Sequence, residues 1–491
     1  MNRRIASLLG LSLGFSLLAA DPVLADTFTP DTFGDAADPK PGDGICGSGK
    51  GTCSLRAAVQ EANASTHANR IELGQGTYSL SIDGPDESLA VSGDLDLNTD
   101  IEIAGRGVGV TIIEQRVKHR VFEVTPNGTA KIGDVMVRGG MSLGDDGGSI
   151  LNDGRLRLEN VTIDHGRAKT DPTNSNGRGG ALRNRSQLDA MNLIVGSSVA
   201  DGRGGAISNS GVMTLTNSRI VDNASRTDDG GAIENDGDLT IAISSIAMNT
   251  ADDGGGLDNI GGKVRIVDST FDGNKATGGT GGGIRNSGTI TIVNSTFNSN
   301  VGQKQGGAIA NLAAGTIDLN NATLASNASG SGGGIWAEKG GTVTLSNTIV
   351  ATNTAGPGGA PDCEGTVVSR GYNLVQQPGS CSFGAPGDQT GKDPKLGELA
   401  PNDGPTRTRA LLDGSPAMGG GNPKTPDGKN GACAPADQRG VKRPQAWGSK
   451  TVPSCDIGAY EAKPTRPSPS PSPSSKKTSM IDPMMRTARE G

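Results

Sequence analysis

Between Gly204 and Asn353 apolar and polar positions alternate in short runs, and the runs return at a near-constant interval. The clearest copies read GGAISNSGVMTLTNSRIVDN, GGGIRNSGTITIVNSTFNSN and GGGIWAEKGGTVTLSNTIVATN. The second glycine of each opening falls at Gly205, Gly231, Gly256, Gly283, Gly307 and Gly334, at spacings of 26, 25, 27, 24 and 27 residues. Weaker copies open at Gly148 and Gly180. A fixed period in this range marks a stacked repeat.

Within a repeat nothing follows helical periodicity; three short β-type pieces are separated by Gly, Asn and Asp. The middle piece alternates strictly, as in Leu239 and Ile241, Ile290 and Ile292, or Val343 and Leu345. Period two with one apolar face predicts a strand buried on one side. The first piece adds Ile207, Ile233, Leu257, Ile284, Ile309 and Ile335; the third adds Ile220, Ile246, Phe271, Phe297, Leu324 and Val350. A coil of this kind buries its inner face only by stacking on neighbours roughly 4.8 Å away. The expected fold is all-β, a right-handed parallel β-helix over residues 101–353.

Asparagines recur with the glycines. Asn209, Asn235, Asn259, Asn286 and Asn311 hold one position of the repeat, with Asn152 and Asn184 before them. Asn223, Asn249, Asn274, Asn300, Asn327 and Asn353 hold another. Asn suits left-handed corners, and stacked amides bond to one another, so both sets read as ladders. Glycosylation sequons do not explain their spacing.

The segment Cys53–Ala64, CSLRAAVQEANA, is the one convincing helix, with Leu55, Ala58, Val59 and Ala62 on an apolar stripe. A solenoid needs its end covered, and residues 26–100 read as that N-terminal cap. Residues 354–462 read as a C-terminal cap, and the Pro/Ser-rich stretch 463–491 as linker and tail. Residues 1–25 have a basic start, an apolar run and small residues at the end, the form of a secretory signal. Losing Arg3, Arg4 and Asp21 with it takes the net charge from −7 to −8. Such a chain is a poor partner for nucleic acid, and no segment reads as membrane-spanning. The reading is a secreted or cell-surface protein, its oligomeric state open. Its six cysteines form the local pairs Cys46 and Cys53, Cys363 and Cys381, Cys433 and Cys455, read as disulfides.

CSLRAAVQEANA resembles the CSLREA motif of secreted bacterial β-helix proteins, with Ala57 where that motif has Glu. DQRGVKRP (Asp437–Pro444) and CDIGAYE (Cys455–Glu461) resemble the choice-of-anchor Q domain of the same proteins. The GGAI openings with FDGN and FNSN are similar to repeats of chlamydial polymorphic outer-membrane proteins, which are surface adhesins. These resemblances imply surface display on a β-helix.

Candidate chemistry is sparse. Asp228, Asp229, Asp252 and Asp253 precede glycine pairs on adjacent coils and have the residue types for a calcium site or an acid–base pair; solvated turns are the competing reading. Asp145 and Asp146 form a similar pair upstream. His165 stands without a partnered nucleophile, and Trp336 is a single outward aromatic. No catalytic residue is assigned. The expected role is non-catalytic adhesion or matrix structure, with extracellular glycans or surface proteins as partners. The rival is a polysaccharide lyase or hydrolase. Arginines clustered with acids and aromatics on an exposed face favour the rival; polar ladders alone favour the binder.

Overall fold

The computed structural model describes residues 26–47, 51–85, 87–172, 177–445 and 454–463. Residues 1–25, read as a secretory signal, and nearly all of 463–491, read as linker and tail, lie outside the described residues. Each coil carries four strands rather than three. In one coil they are Ile207–Asn209, Val212–Thr216, Arg219–Val221 and Ala224–Ser225. The fourth has two residues and no apolar run, so alternation does not reveal it. Each strand pairs in parallel with its counterpart one coil on: Ile207 with Ile233, Leu215 with Ile241, Ile220 with Ile246 and Ala224 with Thr250.

First strands form an eleven-stranded sheet from Leu95–Leu97 to Cys363–Gly365, and fourth strands a nine-stranded one. Middle and third strands are joined into one 24-stranded sheet, because Thr129–Arg138 and Arg155–Asp164 run through both columns. The result is an all-β parallel β-helix, and parallel connections of this kind take the right-handed sense.

Alternation in the sequence becomes a continuous core. Every apolar residue named above from the first, middle and third pieces is at most 4% exposed. Phe271 and Phe297 stack in successive coils with ring centroids 4.9 Å apart. Of the residues between the core positions, Arg265 is exposed, Thr240, Thr291 and Asp318 half-buried and Thr344 buried. The glycine pairs have two separate reasons. Gly204 takes φ +70, and a Cβ on Gly205 would run into the carbonyl oxygen of Gly231 in the next coil.

The amides stack as two files. Asn209 donates to Asn235 at 2.7 Å, Asn235 to Asn259 at 2.8 Å and Asn259 to Asn286 at 2.8 Å. The second file runs from Asn223 through Asn249, Asn274, Asn300 and Asn327 to Asn353 at 2.9–3.0 Å. None of these asparagines has positive φ. The left-handed corners fall on other residues, such as Asn192, Asn217 and Asn294. The ladder position is therefore chosen for its amide and not for its backbone.

At the N-terminal end, Asp26–Phe28 pairs with Asn69–Glu72 as the first rung. The helix spans Leu55–Ala64, two residues shorter at its start than the sequence implies, since Ser54 is the N-cap and accepts from the Ala57 amide at 3.0 Å. It is buried on every side from Leu55 to Ala62. Arg56, fully buried, holds Asp35 at 2.8 Å and donates to the carbonyls of Ala90, Gly93 and Asp94. Three disulfides close Cys46 to Cys53, Cys363 to Cys381 and Cys433 to Cys455.

The C-terminal segment has two parts. In the first, Cys363–Gly365, Val367–Ser369 and Leu374–Val375 pair onto the last coil, with Phe383 packed against the core. In the second, the hairpin Leu396–Ala400 and Thr408–Leu411 leads into a strap lying along the flank of earlier coils. Thr270 donates to Arg407 O at 2.7 Å, Asn294 to Ala436 O at 2.8 Å, Asn320 to Ala432 O at 2.8 Å and Asn347 to Gly431 O at 2.9 Å. The two motifs at this end pack on each other: Arg443 meets Glu461 at 3.2 Å, both fully buried, and Arg439 covers the Tyr460 ring. Among the described residues no helix is long and apolar enough to cross a membrane.

Candidate functional site

The eleven-stranded sheet has an outward column that the sequence reading passed over. Seven successive first strands, from Ile150–Asn152 to Ile309–Asn311, read apolar, any residue, Asn. Register aligns the central residues Arg183, Ser208, Glu234, Asp258, Arg285, Ala310 and Trp336 down successive coils. Outward residues of a helical stack are ordinarily solvated, yet here Arg183, Glu234 and Asp258 are at most 7% exposed. The glycine corners ahead of the strands bring Asp146 and Asp229 to the same column.

The charges form linked groups. Arg183 lies 3.6 Å from Asp146 and 3.7 Å from Glu234, with Ser208 hydrogen-bonded between Arg183 and Glu234. Two coils beyond Glu234, Arg285 reaches Asp229 at 2.7 Å and Asp258 at 3.3 Å. Arg203 binds Asp228 at 3.1 Å. Asp253 accepts from the amide and, at 3.0 Å, the hydroxyl of Thr280.

These contacts place three of the four sequence-predicted aspartates, and the fourth, Asp252, is exposed. Asp228 and Asp229 face guanidinium groups, and Asp253 faces a threonine on the following coil. Among the described residues no three acidic, histidine or cysteine side chains converge as metal ligands do. For a hard cation to gather these carboxylates, Arg203 and Arg285 have to be displaced first. His165 is exposed against its own neighbour Asp164 at 2.7 Å and joins nothing else.

Burial sets the electrostatics. Desolvation pushes the Asp258 carboxyl up to about 7, against the pull of Arg285 and helped by Asp229 and Glu234. Desolvation also raises Asp229, again opposed by Arg285. Burial lowers Arg285, but Asp258 and Asp229 outweigh it and its pKa is raised. One oxygen of Asp258, Oδ2, has no hydrogen-bond partner among the described residues. The group therefore contains a permanent cation that is one-quarter exposed and two carboxyls whose proton affinity lies above the usual range. Trp336 is half-buried two coils on, roughly 10 Å along the stack.

Reading the repeats as columns was the signal available in the sequence. In the triplets LRN, ISN, IEN, LDN and IRN the flanking positions stay apolar and Asn, while the central one varies and is charged in four of the five.

Among solved structures, the chain is similar to pectate lyase Pel9A, with 14% identity, a TM-score of 0.41 and coverage of 89% of this chain and 97% of that one. A variant of the PL6-family alginate lyase AlyGC gives 13% identity and a TM-score of 0.44, over 79% of this chain and 57% of that one. The A-module of Azotobacter vinelandii mannuronan C-5 epimerase AlgE6 gives 14% and 0.35, over 70% and 96%. At these identities the likeness is one of β-helix fold. No family model and no curated protein matches the sequence.

Proposed function

We propose that this protein works outside the cell on polysaccharide, as a lyase or hydrolase whose working surface is the charged corner centred on Arg285. The observation that carries this reading is the Asp229–Arg285–Asp258 group. A partly exposed guanidinium binds a sugar carboxylate through two parallel hydrogen bonds. Beside it, burial raises the proton affinity of Asp229 above that of a free carboxyl, which makes it a stronger base for acid–base catalysis. In an elimination, Arg285 neutralises the uronate carboxylate and Asp229 takes the proton α to it. The glycosidic C–O bond then breaks, the leaving oxygen gains a proton, and a C=C bond remains on the new end. Asp258, buried behind Arg285, sets the charge of the group without touching substrate. Trp336 supplies an apolar face for a neighbouring ring.

Export is supported by the signal-like start, by three disulfides typical of oxidising compartments and by the CSLREA-like and choice-of-anchor Q-like motifs. One observation favours a second reading, non-catalytic adhesion: each corner arginine named here already has a carboxylate partner. The experiment that separates them incubates the secreted protein with polyuronates and neutral glycans. It follows ultraviolet absorbance of unsaturated ends, new reducing ends and retention on the immobilised glycan. The catalytic reading requires new chain ends that Asp229→Asn and Arg285→Ala abolish. Retention without new ends, lost in Arg285→Ala, assigns the corner to adhesion; neither retention nor product overturns both.

A further inference from the structure

Each coil turns from its middle to its third strand through one residue in the left-handed region. From Asn160 to Asn347 that residue is Asn or Asp in every coil but one, where Ile243 sits at φ 53. Short polar side chains suit this conformation, and one branched at Cβ rarely adopts it. Above the exception, Asn217 donates to Asn192 at 2.6 Å and Asn192 to Asn160 at 2.7 Å. Ile243 cannot continue the file, so the Asn217 carbonyl oxygen receives no amide from the coil after it.

The flank also changes character at this point. From Asp268 onward it is covered by the strap, where Thr406 donates to Asp268 O at 2.9 Å. The step between covered and open coils is a cleft of about 490 Å³, lined by Asn192, Ile194, Asn217, Arg219, Ile243 and Arg407 among others. That volume lies within the range of small-molecule sites. Arg219 is exposed and has no ion-pair partner among the described residues, unlike the arginines of the charged corner. Arg407 is held by the Leu399 carbonyl at 2.9 Å and meets Asp272 at 3.5 Å, with half of its side chain exposed to the cleft. Ile194 is 39% exposed.

We propose that this cleft binds a short carboxylate-bearing oligosaccharide, an oligouronide. The guanidinium groups of Arg219 and Arg407 take carboxylates, the open amide oxygen of Asn217 takes a hydroxyl, and Ile194 and Ile243 pack on the C–H face of a ring. A peptide cannot add here as a further strand, and one that offers only acidic side chains has no apolar ring face for Ile194 and Ile243. Arg219–Val221 is paired on both sides, by Ile194–Gly196 and Ser245–Ala247. The proposal rests on the extracellular-glycan reading but uses no residue of the charged corner.

Calorimetric titration of the secreted protein with trimers of galacturonic and mannuronic acid tests it, with cellotriose and hexaglutamate alongside. At least one uronide should bind, weaken with added salt and exceed cellotriose at least tenfold. Arg219→Ala should lower its affinity at least tenfold. Ile243→Asn, which restores the residue type of the neighbouring coils, should raise the melting temperature while weakening the uronide. The titrations are made in Arg285→Ala, so that any uronide held by the charged corner is removed and the cleft is read alone. In that background, binding that survives Arg219→Ala, hexaglutamate binding as tightly as the uronide, or no uronide binding at all overturns the proposal.

Discussion

The amide of Asn353 donates to Asp362 Oδ1 at 2.9 Å, so a buried carboxyl ends the file of asparagines that runs through the coils before it. Burial raises the Asp362 pKa to about 6, although hydrogen bonds from Asn353 and the Gln377 amide pull it down. Asp258 and Glu461 are raised to about 7, Asp96 to about 8 and Asp268 to about 6, in each case chiefly by desolvation.

These shifts fix the sign of the pH dependence. A carboxyl with a raised pKa holds its proton in the folded state at a pH where the unfolded chain, near 4, has lost it. The folded state then binds more protons, and stability falls as pH rises through the window from about 4 to 8. Denaturant midpoints should therefore increase from pH 8 to pH 5, and Asp362→Asn should remove part of that slope. A midpoint flat or rising with pH across this window contradicts the burial assigned to these groups.

Within the first amide file, Asn235 accepts from Asn209 at 2.7 Å and donates to Asn259 and to the Gly237 carbonyl. Asn235→Ala leaves the Asn259 oxygen without that donor and weakens the hold on the Asn209 amide, both buried. The expected loss is about 2–4 kcal/mol, against less than about 0.5 for Thr240→Ala on the half-buried outer face. Equal losses in chemical denaturation would mean that the file contributes no more than surface packing.

The core was legible in the sequence because burial in a stack demands the same residue type at each return. Ile233, Ile241 and Ile246 each align with apolar partners in the coils before and after. The fourth strand was not, since Thr250–Ala251 carries no alternation. Asp228 and Asp229 showed as a pair, but not their partners: Arg285 lies 56 residues from Asp229 and meets it only through two coils of stacking. The strap stayed hidden for the same reason. Contacts such as Asn294 with Ala436 span 142 residues and leave no period behind.

The guanidinium partners also settle what calcium should do. A divalent ion at Asp228, Asp229, Asp252 and Asp253 competes with Arg203 and Arg285, so neither added calcium nor a chelator should shift the melting temperature measurably. Arg285→Gln leaves two corner carboxylates, Asp229 and Asp258, without their counter-ion. In that variant calcium should stabilise by RT ln(1 + [L]/Kd), about 2.7 kcal/mol at a hundredfold excess over Kd. A calcium-dependent shift in the unaltered protein refutes the neutralisation by arginine.

The strap should open as a unit. Cys433 and Cys455, fully buried, close a loop of sequence separation 22, and the Asn321 amide reaches Cys433 Sγ at 3.5 Å. A disulfide of this span stabilises by about 3 kcal/mol in the chain-entropy account. Replacing both cysteines with Ser should therefore lower amide-exchange protection at Ala434, Gly458 and Ala459, while Ile233–Ala247, which the strap does not cover, stays protected. Arg443→Ala acts on the same unit through charge. Arg443 opposes the desolvation of Glu461 and donates to the carbonyls of Asp456 and Gly458. Without it the Glu461 pKa rises further, so the carboxyl is tolerated when protonated and becomes an unpaired buried anion when ionised. Strap protection in Arg443→Ala should consequently fall more at pH 8.5 than at pH 6 (roughly one to two units either side of the present value). Protection lost evenly over strap and coils, or lost equally at both pH values, would show that the strap does not open separately or that Glu461 is not its charged latch.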